Sequence, residues 1–306
     1  MSGPVTTEDV PPDAGCGTPH APEVDLLPSR DATVGGLGVR RALPRRLRRT
    51  VGAWCFADHF GPAAAPASMA VGPHPHTGLH TVTWLAEGEV LHRDSLGSEQ
   101  LIRPGQLNLM TAGHGVAHAE ETLPGFSGGL HGIQLWVAQP EATRHGAAAF
   151  EHHAELPSLA LGPSVATVLV GELGGARSPA RADTPLVGAE LTTTGGPTVV
   201  PLAAGFEHAL VMLDGTVAVG GETFGPGVLA YLGEGRDELR IEAPGPARAL
   251  LLGGEPLAEQ IVMGWNFVGR SHDEVERAGT DWNAGAERFG TVASALPRIP
   301  APAARP

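Results

Sequence analysis

The feature that most constrains the fold is a pattern of short strand-like segments separated by glycine turns, and this pattern occurs twice. In the first half of the chain, alternating segments turn at Gly88 and again at the Pro-Gly pair ending in Gly105. In the second half, similar segments turn at Gly215 and at the Pro-Gly pair ending in Gly227. Turns spaced in this way, with no long amphipathic segment between them, predict an all-β protein built from two antiparallel barrels.

The length and composition agree with two β-rich domains. The chain has 306 residues, and its 43 glycines and 28 prolines favour many turns and few long helices. One short helix is predicted from Ser271 to Trp282, because Ser271 followed by Glu274 forms a capping-box signal. The predicted organisation is a disordered tail over 1–22, an N-terminal domain over 23–150, a linker over 151–180, a C-terminal domain over 181–290 and a disordered tail over 291–306.

Charge and cysteine content exclude several classes of function. The 20 basic residues are all arginine, so Schiff-base chemistry and Walker-type phosphate sites, which need lysine, are excluded. The net charge of −13 argues against direct binding of nucleic acid. Residues 1–20 have no basic segment followed by an apolar one, and the sequence has no apolar run of membrane-spanning length. We therefore expect a cytoplasmic monomer without a signal peptide or disulfides. We expect Cys55 to be a buried small apolar side chain rather than a redox thiol.

Six arginines lie close together between Arg40 and Arg49, and this segment has two interpretations. It could form a patch that binds an anion or an acidic protein partner. It could also be a solvated strand and turn that pairs with carboxylates of the same chain, and we favour this second interpretation.

The 14 histidines are concentrated in the first half, where two spacings point to a metal site. His74 and His76 are two residues apart, and in an extended strand such residues project from the same face. His118 and Glu120 repeat this spacing about forty residues later. Two such pairs facing each other inside a barrel would supply three nitrogen ligands and one oxygen ligand, a set that suits Fe(II), Ni, Cu, Mn or Zn.

The residues around these pairs resemble a known family. The run from Val51 to Val137 is similar to the N-terminal domain of the pirin family, within the cupin superfamily, and residues 253–271 and 281–290 resemble the C-terminal cupin domain of that family. The motifs that carry the resemblance are FADHFGP (56–62), HPHTGLHTVTWLAEGEVLHRDSLG (74–97), RPGQLNLMTAGHGVAHAEE (103–121) and HGIQLWV (131–137).

The resemblance implies two tandem cupin barrels with one mononuclear metal, usually iron, in the first. Carried over residue by residue, the ligands would be His74, His76, His118 and Glu120. Some family members behave as quercetin 2,3-dioxygenases, and others look like metal-dependent regulators that bind protein partners. We therefore expect an Fe(II)-dependent oxidoreductase acting on a flavonol-like substrate with Glu120 as general base, or a redox-sensing regulator without catalytic activity. An open cavity over the metal would favour a substrate, and a filled one would favour the regulator.

Two further histidines have open roles. His80 stands where cupins usually carry a glutamate, and strict alternation would place it on the same face as His74 and His76. It could support or replace a ligand, or it could be a buried imidazole with its own hydrogen-bond partner, and we favour the latter. His114 could line the mouth of the pocket or simply be exposed.

Overall fold

The computed structural model describes residues 24–303, and within them strands dominate. The predicted tail over 1–22 lies outside the described residues. The strands are β1 (Asp25–Pro28), β2 (Arg30–Val34), β3 (Leu37–Leu43), β4 (Trp54–Ala63), β5 (Ala70–His76), β6 (Leu79–Glu87), β7 (Val90–Asp94), β8 (Glu99–Ile102), β9 (Leu107–Thr111), β10 (Val116–Glu121), β11 (Leu130–Ala138), β12 (Ala149–His153), β13 (Ser158–Leu161), β14 (Ser164–Leu173), β15 (Ala176–Arg177), β16 (Leu186–Thr193), β17 (Gly196–Pro201), β18 (Glu207–Asp214), β19 (Val217–Val219), β20 (Glu222–Phe224), β21 (Val228–Gly233), β22 (Glu238–Ala243), β23 (Ala247–Gly254), β24 (Val262–Gly264) and β25 (Phe267–Gly269).

The helical residues form one α-helix, α1 (His272–Asn283), and one short 3₁₀ turn (Glu287–Phe289). Ser271 caps α1, because its hydroxyl accepts a hydrogen bond from the backbone N–H of Glu274 at 3.2 Å, as the capping-box signal predicted. No helix among residues 24–303 has the length and apolar character needed to span a bilayer.

The strands form two barrels, each made of one large and one small antiparallel sheet. In the first barrel, the large sheet has the order β12-β9-β6-β11-β4-β3-β2 and the small sheet has the order β5-β10-β7-β8. In the second barrel, the corresponding orders are β1-β21-β18-β23-β16-β14-β13, with β15 attached to β14, and β17-β22-β19-β20. The predicted all-β fold with two tandem barrels and a short C-terminal helix is therefore confirmed.

The repeated glycine turns occupy equivalent places in the two barrels. Gly88 connects β6 to β7 with φ of 89°, and Gly215 connects β18 to β19 with φ of 69°, a left-handed conformation that favours glycine. One detail of the prediction was wrong, because β8 and β9, on either side of Gly105, do not pair with each other. β8 pairs with β7 in the small sheet, and β9 pairs with β6 in the large sheet, so this turn carries the chain between sheets.

The large sheets of the two barrels pack against each other through a continuous apolar layer that includes residues of both. Two tryptophans of the first barrel reach across this layer. The indole N–H of Trp54 lies 3.1 Å from the backbone carbonyls of both Val187 and Gly253, and that of Trp84 donates to the carboxylate of Glu190 at 2.8 Å. The outer face of this large sheet is therefore buried between the barrels, and side chains on its other face point into the first barrel.

The chain departs from the predicted domain boundaries in three places. β1 pairs with β21 of the second barrel, although it falls in the predicted N-terminal domain. Residues 151–180 are not a simple linker, since they carry part of β12 and all of β13, β14 and β15. Residues 291–303 are not a disordered tail, because the Ile299 backbone N–H bonds to the Pro73 carbonyl at 2.9 Å and the Ile299 carbonyl accepts the Trp282 indole at 2.8 Å.

The arginine-rich segment is partly used inside the protein. Arg41 is buried and forms a bidentate pair with Asp58, and Arg48 pairs with Glu207 of the second barrel at 3.3 Å. These contacts agree with the interpretation that the segment pairs with the chain's own carboxylates. Cys55 is also buried, as expected, and burial raises the pKa of its thiol to about 12.

Candidate metal centre and cavity

Three of the four predicted ligands lie together on the small sheet of the first barrel. His74 and His76 lie on β5, and His118 lies opposite His74 on β10. Their potential ligand atoms all fall within 4.8 Å of one another, and Nε2 of His76 is 3.0 Å from Nε2 of His118. The i, i+2 spacing therefore places His74 and His76 in the same site, because β5 is a regular strand at that point.

Glu120, the fourth predicted ligand, stands at the edge of this cluster. The register between β10 and β5 shifts between His118 and Glu120, because β5 has one extra residue between Val71 and His74. The carboxylate of Glu120 lies within 4.8 Å of ligand atoms of His118 and His92, and His118 therefore belongs to both groups. The Thr83 hydroxyl lies 3.3 Å from this carboxylate. Together these residues form a site of three histidines and one glutamate, with a further imidazole beside it.

Hydrogen bonds to backbone carbonyls orient two of the imidazoles. Nδ1 of His74 lies 2.9 Å from the carbonyl of Gly72, and Nδ1 of His76 lies 3.1 Å from the carbonyl of Asn266. A carbonyl can only accept, so each Nδ1 must carry the proton and each Nε2 keeps its lone pair. This is the tautomer that coordinates a metal through Nε2, held by an outer hydrogen bond of the usual kind.

Burial keeps the imidazoles neutral and the carboxyl group poorly solvated. Burial lowers the pKa of His74 to about 4, and it lowers the pKa values of His76 and His118 well below the ordinary value for histidine. Burial also raises the pKa of Glu120. A divalent cation would neutralise the negative charge of this buried carboxylate. Three neutral nitrogens and one carboxylate oxygen are also a ligand set that suits a first-row transition metal. The residues present therefore fit a metal ion.

His92 was not predicted from the sequence, although it lies beside His118 and Glu120 in the cluster. Its Nδ1 is 3.3 Å from Nδ1 of His118, its Nε2 is 3.2 Å from Asp94, and its ring stacks on Phe150. His92 and Asp94 have the same i, i+2 spacing on β7 as the predicted pairs, so that signal could have identified them. A contact from His92 to His118 on one side and to Asp94 on the other suits a residue that orients His118.

His80 and His114 lie outside the cluster. His80 does not share the face of His74 and His76, because the chain turns at Gly78 and His80 belongs to β6 in the other sheet. Its ring contacts Thr111 at 2.9 Å and Asp183 at 3.1 Å, which agrees with a buried imidazole that has its own partners. His114 is exposed and does not line the cavity described next.

A cavity of about 270 Å³ opens onto the histidine cluster from inside the barrel. Its walls include aromatic side chains of the large sheet, and Phe56 and Trp136 stack with ring centroids 4.0 Å apart and planes 15° apart. The rings of Trp136 and His76 are nearly perpendicular, with centroids 5.2 Å apart. Trp136 thus faces the cavity, whereas Trp84 lies in the apolar layer between the barrels.

The C-terminal part of the chain completes the cavity wall. The β24–β25 hairpin places Trp265 and Asn266 at the cavity, and Trp265 has φ of 52°, the only left-handed conformation of a non-glycine residue between positions 24 and 303. The same hairpin supplies the Asn266 carbonyl that contacts His76. These residues were missed because they are about 190 positions away from His76 in the sequence.

Comparisons with known proteins identify the family. The family model described as Pirin matches residues 36–137, and the one described as Pirin C-terminal cupin domain matches residues 190–290. A protein of Pseudomonas aeruginosa named "Putative quercetin 2,3-dioxygenase" is 48% identical over 292 residues, covering 94% of this chain and 92% of the relative. The chain belongs to the pirin family. The two matched segments fall in the two barrels, so this pirin has the two cupin domains expected of the family.

Solved structures of other family members share this fold. A quercetin 2,3-dioxygenase from Acinetobacter baumannii superposes with a TM-score of 0.89 at 42% identity, covering 92% of this chain and 96% of that one. A bacterial pirin from Escherichia coli, solved in complex with nickel(II), superposes with a TM-score of 0.62 at 17% identity, covering 77% of this chain and all of that one. At that identity, the second likeness shows the fold alone.

Proposed function

We propose that this pirin is a metal-dependent dioxygenase that cleaves a flavonol-like aromatic substrate. The observation that carries the proposal is the cavity of about 270 Å³ between the histidine cluster and the stacked rings of Phe56 and Trp136. Its size is close to the lower limit for small-ligand pockets, and its aromatic walls suit an aromatic ligand. The names of the relatives from Pseudomonas aeruginosa and Acinetobacter baumannii support the same reaction.

We propose His74, His76, His118 and Glu120 as the metal ligands and Fe(II) as the metal, with Ni, Cu, Mn and Zn as alternatives. The nickel(II) complex of the Escherichia coli pirin makes nickel a useful comparison. When bound, such a metal lowers the pKa of a hydroxyl group that it coordinates, and a redox-active one also supplies electron transfer with O2. We further propose that the chain acts as a cytoplasmic monomer.

In this proposal, Glu120 also accepts the proton of the substrate hydroxyl. Burial raises the pKa of Glu120, so its carboxylate is a stronger base than an exposed glutamate when it leaves the metal to accept this proton. The Thr83 hydroxyl lies 3.3 Å from this carboxylate and 2.9 Å from the side-chain oxygen of Gln134. The walls formed by Phe56, Trp136 and Trp265 orient the substrate and exclude water from its rings.

The alternative function, a redox-sensing regulator, has less support from the described residues. The regulator was expected to have a filled barrel, whereas the cavity is open to the histidine cluster. An acidic protein partner could dock on the arginines between Arg40 and Arg49, but two of them, Arg41 and Arg48, already pair with carboxylates of the chain.

Oxygen consumption tests the proposed function directly. The metal-free protein is loaded separately with Fe(II), Ni(II), Cu(II), Mn(II) or Zn(II) and mixed with quercetin in air. We expect at least one redox-active form to consume O2 in step with loss of quercetin, as measured with an oxygen electrode and by absorbance. We expect Glu120→Gln to slow this reaction by at least about 100-fold, since general bases contribute that much or more.

Anaerobic samples and samples treated with a chelator are the controls, and both should leave quercetin intact. A protein that binds one metal ion per chain but leaves quercetin and O2 unchanged with every metal would contradict the proposal.

A further inference from the structure

A row of polar side chains crosses the inner face of the large sheet in the first barrel. Arg41 on β3 pairs in register with Asp58 on β4, Asp58 with Gln134 on β11, and Gln134 with Thr83 on β6. All four residues line the cavity. At the Thr83 end, the row reaches Glu120 of the metal centre. The row therefore has the Arg41–Asp58 pair at one end and Thr83, next to Glu120, at the other.

The two ends are well separated. Neighbouring strands lie about 4.8 Å apart, so Arg41 and Thr83, which are three strands apart, are separated by roughly 14 Å along the sheet. The stacked rings of Phe56 and Trp136 form the next row, and the guanidinium of Arg41 covers Phe56 with Cζ 4.7 Å from the ring centroid. Because stacked rings turn their faces toward each other, they present mainly their edges to the cavity. A ligand that extends along this row of the cavity can touch the histidine cluster at one end and the Arg41–Asp58 pair at the other.

The Arg41–Asp58 pair keeps hydrogen-bonding capacity. Nε and Nη2 of Arg41 donate to the two carboxylate oxygens of Asp58 at 2.7 and 2.6 Å, and Nη1 makes no hydrogen bond to another described residue. Each carboxylate oxygen can accept more than one hydrogen bond. Only 6% of Arg41 and 3% of Asp58 are exposed, so a polar group of a ligand would meet these atoms in a largely dehydrated setting.

The charge of the pair restricts the ligand group. The guanidinium and the carboxylate neutralise each other, so an additional full charge on the ligand would remain uncompensated in a buried position. A neutral hydroxyl fits better, because it can donate to Asp58 and accept from Nη1 of Arg41 at the same time.

We propose that Arg41 and Asp58 form a second anchor in the cavity, which binds a ring hydroxyl of an aromatic substrate at the end away from the histidine cluster. This inference rests on the proposed dioxygenase function for the identity of the ligand, but it concerns binding and not turnover. It names the substrate class more narrowly: flavonols that carry a hydroxyl on a ring remote from the group held at the metal centre.

Two flavonols test the anchor without turnover. Quercetin and 3-hydroxyflavone share the hydroxyl and carbonyl groups that can reach the metal centre, and only quercetin has further ring hydroxyls. Binding to the metal-loaded protein is measured anaerobically by calorimetry and by quenching of tryptophan fluorescence. We expect quercetin to bind at least about tenfold more tightly, the order expected for a hydrogen bond to a charged group.

Two double variants test whether the preference for quercetin depends on the Arg41–Asp58 pair. Arg41→Met/Asp58→Leu replaces the ion pair with apolar groups, and we expect its preference for quercetin to fall to within about twofold. Arg248→Met/Glu190→Gln is the matched control, because it removes an arginine–carboxylate pair of 2.6 Å that lies outside the cavity and keeps an acceptor for the Trp84 indole. The control should keep the full preference.

Two results would overturn the inference. One is a wild-type protein that binds the two flavonols equally or binds neither, and this comparison needs no variant to fold. The other is a folded Arg41→Met/Asp58→Leu protein that keeps the preference. The proposed dioxygenase function fails by a different result, the absence of O2 consumption, and a protein that prefers quercetin without consuming O2 would contradict that function while supporting the anchor.

Discussion

Replacing His118 with alanine is expected to abolish metal binding to the first barrel. His118 belongs to both groups of potential ligands, with Nε2 3.0 Å from His76 and Nδ1 3.3 Å from His92. Loss of a residue that merely orients a ligand typically lowers metal affinity 10- to 100-fold, so loss of His118 itself should lower it by more than about 100-fold. After dialysis against a weak chelator, the metal content measured by mass spectrometry should fall from about one ion per chain to near zero.

Two further histidine variants distinguish residues that bind the metal from residues that only lie near it. If His92 orients His118 and is not itself a ligand, His92→Ala should lower metal affinity by about 10- to 100-fold and still reach about one ion per chain at high metal concentration. His153→Ala, on β12 outside both groups, should bind metal like the wild type. A His118→Ala protein that retains the wild-type metal content, while His92→Ala loses it, would show that the site is centred on other atoms.

The part of the site that was predictable from sequence depends on spacing within single strands. His74 and His76 share a site because the two-residue period of a strand holds between them. The same rule gave a wrong face for His80, because β5 ends at His76 and the chain turns at Gly78 before β6 begins. That glycine has φ of 69°, and a Cβ there would lie 2.2 Å from the carbonyl oxygen of Val268, so the chain is tightly turned against the C-terminal hairpin. Periodicity could not reveal the turn, since it depends on a contact with a distant segment.

The remaining parts of the site depend on long-range pairing and were not predictable. Arg41 belongs to an arginine-rich run that resembles a solvated surface, and only its register opposite Asp58 places it inside the barrel. Asn266 contacts His76 from the other end of the chain, through a hairpin that packs on the first barrel. The last described segment, with Ile299 bonded to Pro73, has no periodic pattern because it joins no sheet.

The protein is expected to lose stability steeply as the pH falls from 6.5 to 4. Two buried histidines outside the metal centre cause this effect. Burial is the main factor that lowers the pKa of His208 to about 4 and that of His59 to about 3, and the positive charge of Arg40 adds to the effect at His59. Neither ring nitrogen of His208 makes a hydrogen bond of normal geometry within the described part of the chain, so a proton there would be poorly compensated.

The direction follows from the difference in proton uptake. Below the ordinary histidine pKa of 6.5, the unfolded chain binds a proton at each of these imidazoles and the folded protein does not. The free energy of unfolding is therefore highest above pH 6.5, and it decreases as the pH falls toward the pKa values of the two histidines in the folded protein. Each histidine then contributes about 1.4 kcal/mol per pH unit to the slope. Together they lower the free energy of unfolding by roughly 6 kcal/mol between pH 6.5 and 4, before any contribution from the metal centre.

The variant His208→Leu measures the part of this pH-dependent loss of stability that is due to His208. Because leucine cannot take up a proton in the unfolded chain, the variant should lose about 1.4 kcal/mol less per pH unit than the wild type below pH 6.5. The measurement is urea unfolding at several pH values in the presence of a chelator, so that the histidines of the metal centre contribute equally to both proteins. His114→Gln, which changes an exposed imidazole, is the control and should retain the wild-type slope. Equal slopes for His208→Leu and the wild type would mean that His208 takes up its proton as readily in the folded barrel as in the unfolded chain.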